Sequence, residues 1–125
     1  MAAPNIVNVT TITGVTTAIE ITTTAPISFV SNAASSNKVF KIGTVLVSNT
    51  DGNNAADVTI KWHQAASAGV GNSVPIANTV PVPADSSIVI IGKDSPIYLE
   101  ENRSLSIQAS AVNDIAVICS YEEIS

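Results

Sequence analysis

The stretch that decides the fold is residues 56–63, Ala-Asp-Val-Thr-Ile-Lys-Trp-His, in which apolar and polar side chains alternate. Neighbouring side chains of an extended chain point to opposite sides, so a period of two separates an apolar side from a polar side. The pattern predicts a β-strand with one buried face and one exposed face. Residues 103–111 show the same alternation, with an apolar set made of Leu105, Ile107 and Ala109.

Three other runs are apolar at consecutive positions, namely residues 44–47, 88–91 and 115–119. An alternating strand has a wet side, whereas a continuously apolar strand is typical of one covered on both faces. We therefore expect an opposing sheet on one face of these strands and a second cover on the other face. In a chain of 125 residues, another subunit is the candidate for that second cover.

Turn-forming residues divide the chain into about eight strand candidates. Residues 48–54 and 112–114 are rich in Asn, Asp, Ser and Gly and are predicted to be hairpin loops. The Gly- and Ser-containing residues 65–73 are predicted to be a flexible loop, and the prolines within residues 74–82 confine that segment to an edge strand or a bulged strand.

These elements predict an all-β protein whose residues 1–125 form a single antiparallel β-sandwich domain. About eight strands suit either a jelly-roll or an immunoglobulin-like topology. Alternation is the same in both topologies, so the sequence leaves that choice open.

Composition excludes several classes of function. The net charge is −5, and the five basic residues are scattered singly, which argues against binding a nucleic-acid backbone. We expect no membrane segment, because no apolar run approaches the length that spans a bilayer, and no signal peptide at residues 1–4. A chain of this kind is expected to be synthesised in the cytoplasm.

No residue is predicted to be catalytic, cofactor-binding or metal-ligating. His63, the single histidine, is expected on the exposed side of its strand without a nucleophile beside it. Cys119 is expected to be a buried small hydrophobe, and Trp62 to be a core residue, not a ligand platform. Residues 51–57 resemble a calcium loop but lack its spacing and are predicted to be a plain turn. The acidic pairs are expected to point in opposite directions along their strands: Glu100 with Glu101, and Glu122 with Glu123.

A set of short motifs resembles small virion proteins of marine tailed bacteriophages, including cyanophages. The similarity runs over most of the chain and is carried by residues 32–39 (NAASSNKV), 47–49 (VSN), 82–85 (VPAD), 93–101 (KDSPIYLEE), 104–105 (SL) and 119–124 (CSYEEI). These motifs support a fold and carry no chemical role. At Arg103 the chain departs from the resembled proteins, which have Gly-Asp before Ser-Leu.

The resemblance implies a non-enzymatic structural protein of the virion, most plainly a capsid decoration or cement protein that binds the assembled shell. A neck or tail component, or a receptor- or carbohydrate-binding module of the tail, are the alternatives that it leaves open. Expected partners are other virion proteins, such as the major capsid protein or neck and tail proteins, together with further copies of the chain. A small hydrolase built around His63 is the third class of function, and it requires converging acids that the sequence does not show.

Overall fold

The computed structural model describes residues 9–67 and 72–125. Residues 1–8 and 68–71 lie outside it, and with them the expectation of no signal peptide and the tip of the predicted flexible loop. The described residues contain no helix. They form nine strands: β1 (Ile12–Glu20), β2 (Ile27–Asn32), β3 (Val39–Asn49), β4 (Ala56–His63), β5 (Ser73–Val82), β6 (Ser87–Ile91), β7 (Ile97–Leu99), β8 (Arg103–Ala109) and β9 (Ile115–Ile124).

The strands form two antiparallel sheets that pack face to face. Sheet A has the order β1-β9-β3-β6, with the short β7 also paired to β3, and sheet B has the order β2-β8-β4-β5. The predicted β-sandwich is therefore confirmed, with nine strands in place of about eight.

The pairing is nested, which identifies the topology. β4 pairs with β5, β3 with β6, β2 with β8 and β1 with β9, so the paired strands are arranged as one long hairpin with β4 and β5 as its innermost pair. Rolling such a hairpin on itself places its successive pairs alternately in the two sheets. Eight main strands in this arrangement make a jelly roll, and β7 is an addition to it.

The rolled topology corrects two predicted hairpins. The predicted loop at residues 48–54 spans the end of β3 and the connection from sheet A to β4 in sheet B, and residues 112–114 lie in the connection from β8 in sheet B to β9 in sheet A. Both connections cross between sheets. The prediction was wrong because Asn, Asp and Gly permit tight chain reversal wherever it is needed, as at Asn113 with its φ of 63°, and they do not encode which sheet the next strand joins.

Between the sheets lies one hydrophobic cluster, to which both sheets contribute. It holds the apolar sides of the two alternating strands that the sequence identifies, including Val58 and Ile60 of β4 and Leu105 and Ile107 of β8, all fully buried. β5 lies at the edge of sheet B and its register with β4 shifts twice, as the prolines predict.

Candidate functional site

Four apolar side chains form a row across the outer face of sheet A, the face turned away from the core. Opposite residues on paired strands point to the same side of a sheet. Ala18 lies opposite Ile118, Ile118 opposite Leu46, and Leu46 opposite Val89. The row, called the apolar row below, therefore crosses β1, β9, β3 and β6 from one edge of the sheet to the other.

The apolar row is accessible to solvent. Val89 is 63% exposed and Ile118 41% exposed, while Leu46 between them is half-buried. Six large hydrophobic residues of the described chain are exposed, and four of them lie on this face by their pairing: Ile12, Val89, Tyr98 and Ile118. Scattered apolar residues on a surface are ordinary, but their concentration on one face is typical of an interaction surface.

The residues beside the apolar row carry little charge. On one side the neighbouring positions are Thr16, Ser120 and Thr44, and on the other they are Glu20, Ala116, Ser48 and Ser87. A single carboxylate lies among these small and hydroxyl side chains, so covering this part of the sheet removes little charge from water. The outer face of sheet B is polar by contrast: Asp57, Thr59 and Lys61 lie on β4, Gln108 on β8 and Ser110 just after β8.

These observations revise the expectation for the three continuously apolar runs. The opposing sheet covers one face, as predicted, with Val45, Val47, Val117 and Cys119 almost fully buried. Their alternate residues Leu46, Val89 and Ile118 are the apolar row, and no described part of the chain covers it. The runs therefore supply an exposed apolar surface, and the second cover remains a prediction.

His63 is buried, which contradicts the predicted surface histidine. Its exposed fraction is 4%, because the residues after β4 fold back over the outer face of sheet B. Three hydrogen bonds hold this strap: Ser104 Oγ donates to the Ala65 carbonyl (2.8 Å), Ala66 N–H donates to Asn102 Oδ1 (3.2 Å), and Ser31 Oγ donates to the Ala66 carbonyl. Alternation along one strand does not show that a later segment covers its polar side.

A serine also lies beside His63, contrary to the prediction that no nucleophile does. Nε2 of His63 and Oγ of Ser106 are 2.6 Å apart, and the tautomer of the ring decides which atom donates. Ser106 is itself buried, and Nδ1 of His63 has no hydrogen-bond partner in the described chain. A nucleophile needs substrate access, and its base needs an orienting acceptor at the second nitrogen. The described geometry supplies neither, so this pair is suited to linking β4 to β8 beneath the strap.

Burial of His63 predicts a pH dependence of stability. Desolvation, and secondarily the positive charge of Lys61, lower the pKa of His63 below its usual value of 6.5. The unfolded chain therefore takes up a proton more readily than the folded chain, and stability falls as the pH drops through 6.5 towards the lowered pKa. We expect the free energy of unfolding, measured by urea titration, to fall more between pH 7.5 and pH 5.5 in the wild type than in His63→Gln. Parallel pH profiles for the two chains would contradict this assignment.

Trp62 does not offer a free platform for a sugar ring. It is half-buried and packs against the core, as the alternation predicts, and the guanidinium of Arg103 lies over its ring at 5.6 Å from the centroid. A shallow depression of about 230 Å³ lies elsewhere on sheet B, lined by polar residues that include Asp57, Thr59, Thr79 and Gln108. No aromatic residue lines it, so it lacks the stacking surface of a typical glycan site.

The environments of the remaining candidate residues are those of residues that support the fold. Cys119 is fully buried and burial raises its pKa to about 12, which keeps it a thiol. The Asp51 carboxylate accepts the N–H groups of Asn53 and Asn54, and these bonds lower its pKa, as in an ordinary Asx turn. Glu122 lies opposite Lys41 and Glu123 opposite Phe40, on different faces of sheet A.

The described chain has neither a metal-ligand cluster nor a membrane-spanning helix. Residues 9–67 and 72–125 contain no group of three or more His, Cys, Asp or Glu side chains placed to hold a metal ion. The same residues contain no helix long and apolar enough to cross a membrane.

Comparisons with known proteins give a likeness of fold. No protein-family model matches the chain, and no curated protein matches it. Among solved structures, the chain is similar to a chain of the T13 IBDV viral particle, with a TM-score of 0.50 and 10% sequence identity. The match covers 93% of this chain and 31% of the viral chain, so this protein spans about a third of that chain's length. At this identity, the likeness shows that the jelly-roll sandwich of this chain is also a fold found in a viral particle.

Proposed function

We propose that the chain is a non-enzymatic structural protein of a tailed-phage virion, a decoration protein that binds and stabilises the assembled shell. The observation that carries the proposal is the apolar row on the outer face of sheet A, with a single carboxylate among the residues directly beside it. The resemblance to phage virion proteins and the likeness of fold to a viral-particle chain support the choice of a virion as the partner.

The outer face of sheet A suits a flat protein partner better than a small molecule. Sites for small ligands are clefts that enclose most of the ligand, and the depression described above lies on sheet B, not on this face. A shell protein that covers Leu46, Val89 and Ile118 would remove their apolar surface from water, at about 25 cal/mol per Å². Because the chain binds an assembled shell better than free subunits, it shifts the equilibrium towards the assembled state by mass action.

A neck or tail component uses the same kind of surface and is the first alternative. A carbohydrate-binding module is the second, and it draws support from the jelly-roll fold, which lectins share with capsid proteins. The covered ring of Trp62 and the lack of an aromatic residue at the depression on sheet B count against it.

Binding to shells tests the proposal. Purified recombinant chain is mixed with particles that lack it, and the amount that sediments with the particles is measured over a concentration series. The expected result is saturable binding at a fixed ratio to the major capsid protein, together with a higher temperature of shell rupture. Binding to isolated necks or tails but not to shells would assign the chain to those structures, and binding to neither would contradict a virion role.

A further inference from the structure

β1 is an edge strand whose outer side is open in the described chain. It pairs with β9 alone, and the two strands keep one register over nine consecutive residue pairs without a bulge. An exposed edge of this kind presents unpaired N–H and C=O groups to any strand that can reach it. Natural proteins usually interrupt such edges with prolines, charged residues or bulges. An uninterrupted edge strand is therefore suited to pairing with another strand.

The alternation of hydrogen bonds along β1 shows which of its backbone N–H and C=O groups do not bond to β9. Thr11 and Ser125 exchange both N–H···O bonds, each at 2.9 Å, just before β1 begins. In an antiparallel pair every second residue is bonded to the neighbouring strand, so the odd-numbered residues of β1 face β9, in agreement with the bond from Ile21 N–H to the Ile115 carbonyl. The N–H and C=O groups that point away from β9 belong to Ile12, Gly14, Thr16, Ala18 and Glu20.

The other three sheet edges are interrupted. β2 has a register shift between Ser28 and Val30, and β6 has five residues with a shift opposite Val45 and Leu46. β5 contains Pro75 and Pro81 and two register shifts. β1 contains neither proline nor lysine, and its single charge is Glu20 at the end of the strand. The contrast singles out β1 as the edge that is suited to pairing.

We propose that β1 pairs antiparallel with β1 of a second copy of this chain, about a two-fold axis at Thr16. In this register Thr16 lies opposite its own copy, Gly14 opposite Ala18, and Ile12 opposite Glu20. Each copy has five free N–H and five free C=O groups on this edge, so the ladder can hold ten hydrogen bonds, five donated by each copy.

The chemistry of the edge favours a second copy over an unrelated strand. The register is self-complementary: small Gly14 and Ala18 meet each other, and the two Glu20 carboxylates lie at opposite ends of the ladder and do not repel. On the core side of the sheet, Val15 and Ile19 are half-buried at the open seam of the sandwich. The second copy covers them with its Thr17 and Thr13, so the pairing buries apolar surface as well as completing the backbone bonds.

The pairing joins two A sheets into one, and the outer faces of both copies point the same way, because opposite residues share a side. Two apolar rows then lie on one continuous surface. Self-association stands on the edge geometry alone and does not depend on the proposed shell binding. If both are correct, a dimer meets the shell through two surfaces and gains avidity.

Gly14→Pro tests the pairing. The Gly14 N–H is not used in the β1–β9 ladder, and a Cβ atom added at Gly14 meets no atom within 4 Å outside its chain neighbours, so we expect the fold to tolerate proline there. Proline removes a donor from the free edge and blocks strand pairing. In sedimentation equilibrium of the full chain, we expect the wild type to be dimeric and Gly14→Pro to associate roughly 100-fold more weakly, or about 2.7 kcal/mol. Gly14→Ala keeps the N–H and should remain dimeric.

Circular dichroism melting confirms that each variant is folded, and Thr16→Lys, which places like charges opposite each other at the axis, gives a second disruption if Gly14→Pro does not fold. A wild type that is monomeric at every concentration, or a folded Gly14→Pro that dimerises like the wild type, overturns the proposal. So does amide-exchange protection of residues 12–20 that appears only when shells are added, because that result assigns the edge to a strand of the shell protein.

Discussion

A chain carrying Ile118→Lys is expected to bind shells roughly 100-fold more weakly than the wild type while remaining folded. Ile118 lies in the middle of the apolar row on the central strand β9. A lone ammonium covered by the shell without a partner costs several kcal/mol, and each 1.4 kcal/mol is about a factor of ten in affinity. Because Ile118 is 41% exposed and points away from the core, the free energy of unfolding should fall by no more than about 1 kcal/mol.

Val112→Lys is the matched control for this experiment. Val112 is apolar and 46% exposed, but it lies in the connection between β8 and β9 and outside the apolar row. Sedimentation with shells should be unchanged in this variant. Equal loss of binding in both variants would point to a nonspecific effect of charge, and unchanged binding in Ile118→Lys would place the shell contact on another surface.

Asn49→Ala is expected to lower the free energy of unfolding by about 3 kcal/mol. Asn49 is buried at the end of β3, where the chain leaves sheet A for sheet B. Its Nδ2 donates to the carbonyls of Asn54 and Val82 at 2.9 Å each, and its Oδ1 accepts the N–H of Asp51 at 2.9 Å. Alanine leaves these backbone groups unpaired in or near the interior, at a cost of roughly 1–3 kcal/mol for each group that water cannot reach.

Urea unfolding measures this loss, and Asn53→Ala provides the comparison. Asn53 lies in the same connection, but it is exposed, so the same chemical change should cost less than about 0.5 kcal/mol. Similar small losses in both variants would show that the Asn49 side chain does not hold the crossover in place.

Asn49 also illustrates what the sequence could not show. It stands in a run of polar residues that is typical of a surface turn, yet it is buried together with Asn32, which donates to the carbonyls of Lys38 and Leu99 at a similar sheet-to-sheet connection. Composition marks a turn as polar, and whether one of its amides is enclosed depends on which strands come together around it. The local sequence does not show which strands and later segments come together. For the same reason the two predicted hairpins and the predicted exposure of His63 were wrong.

The local sequence pattern predicted burial correctly where burial follows directly from the spacing of apolar residues. Alternation in β4 and β8 identified the core side of sheet B, the prolines identified β5 as a bulged edge, and the continuous apolar run identified Cys119 as buried. Of the apolar row, Leu46, Val89 and Ile118 lie in runs that the sequence marked as requiring two covers. Ala18 carried no such signal, because its place in the row depends on the pairing of β1 with β9, which are separated by most of the chain.

Immunogold labelling of intact virions with an antibody to this chain tests the central claim most directly, because it locates the protein without assuming which surface binds. The account predicts gold particles distributed over the whole head. Gold confined to the tail or neck would contradict a decoration role, and virions without gold would contradict a virion role altogether.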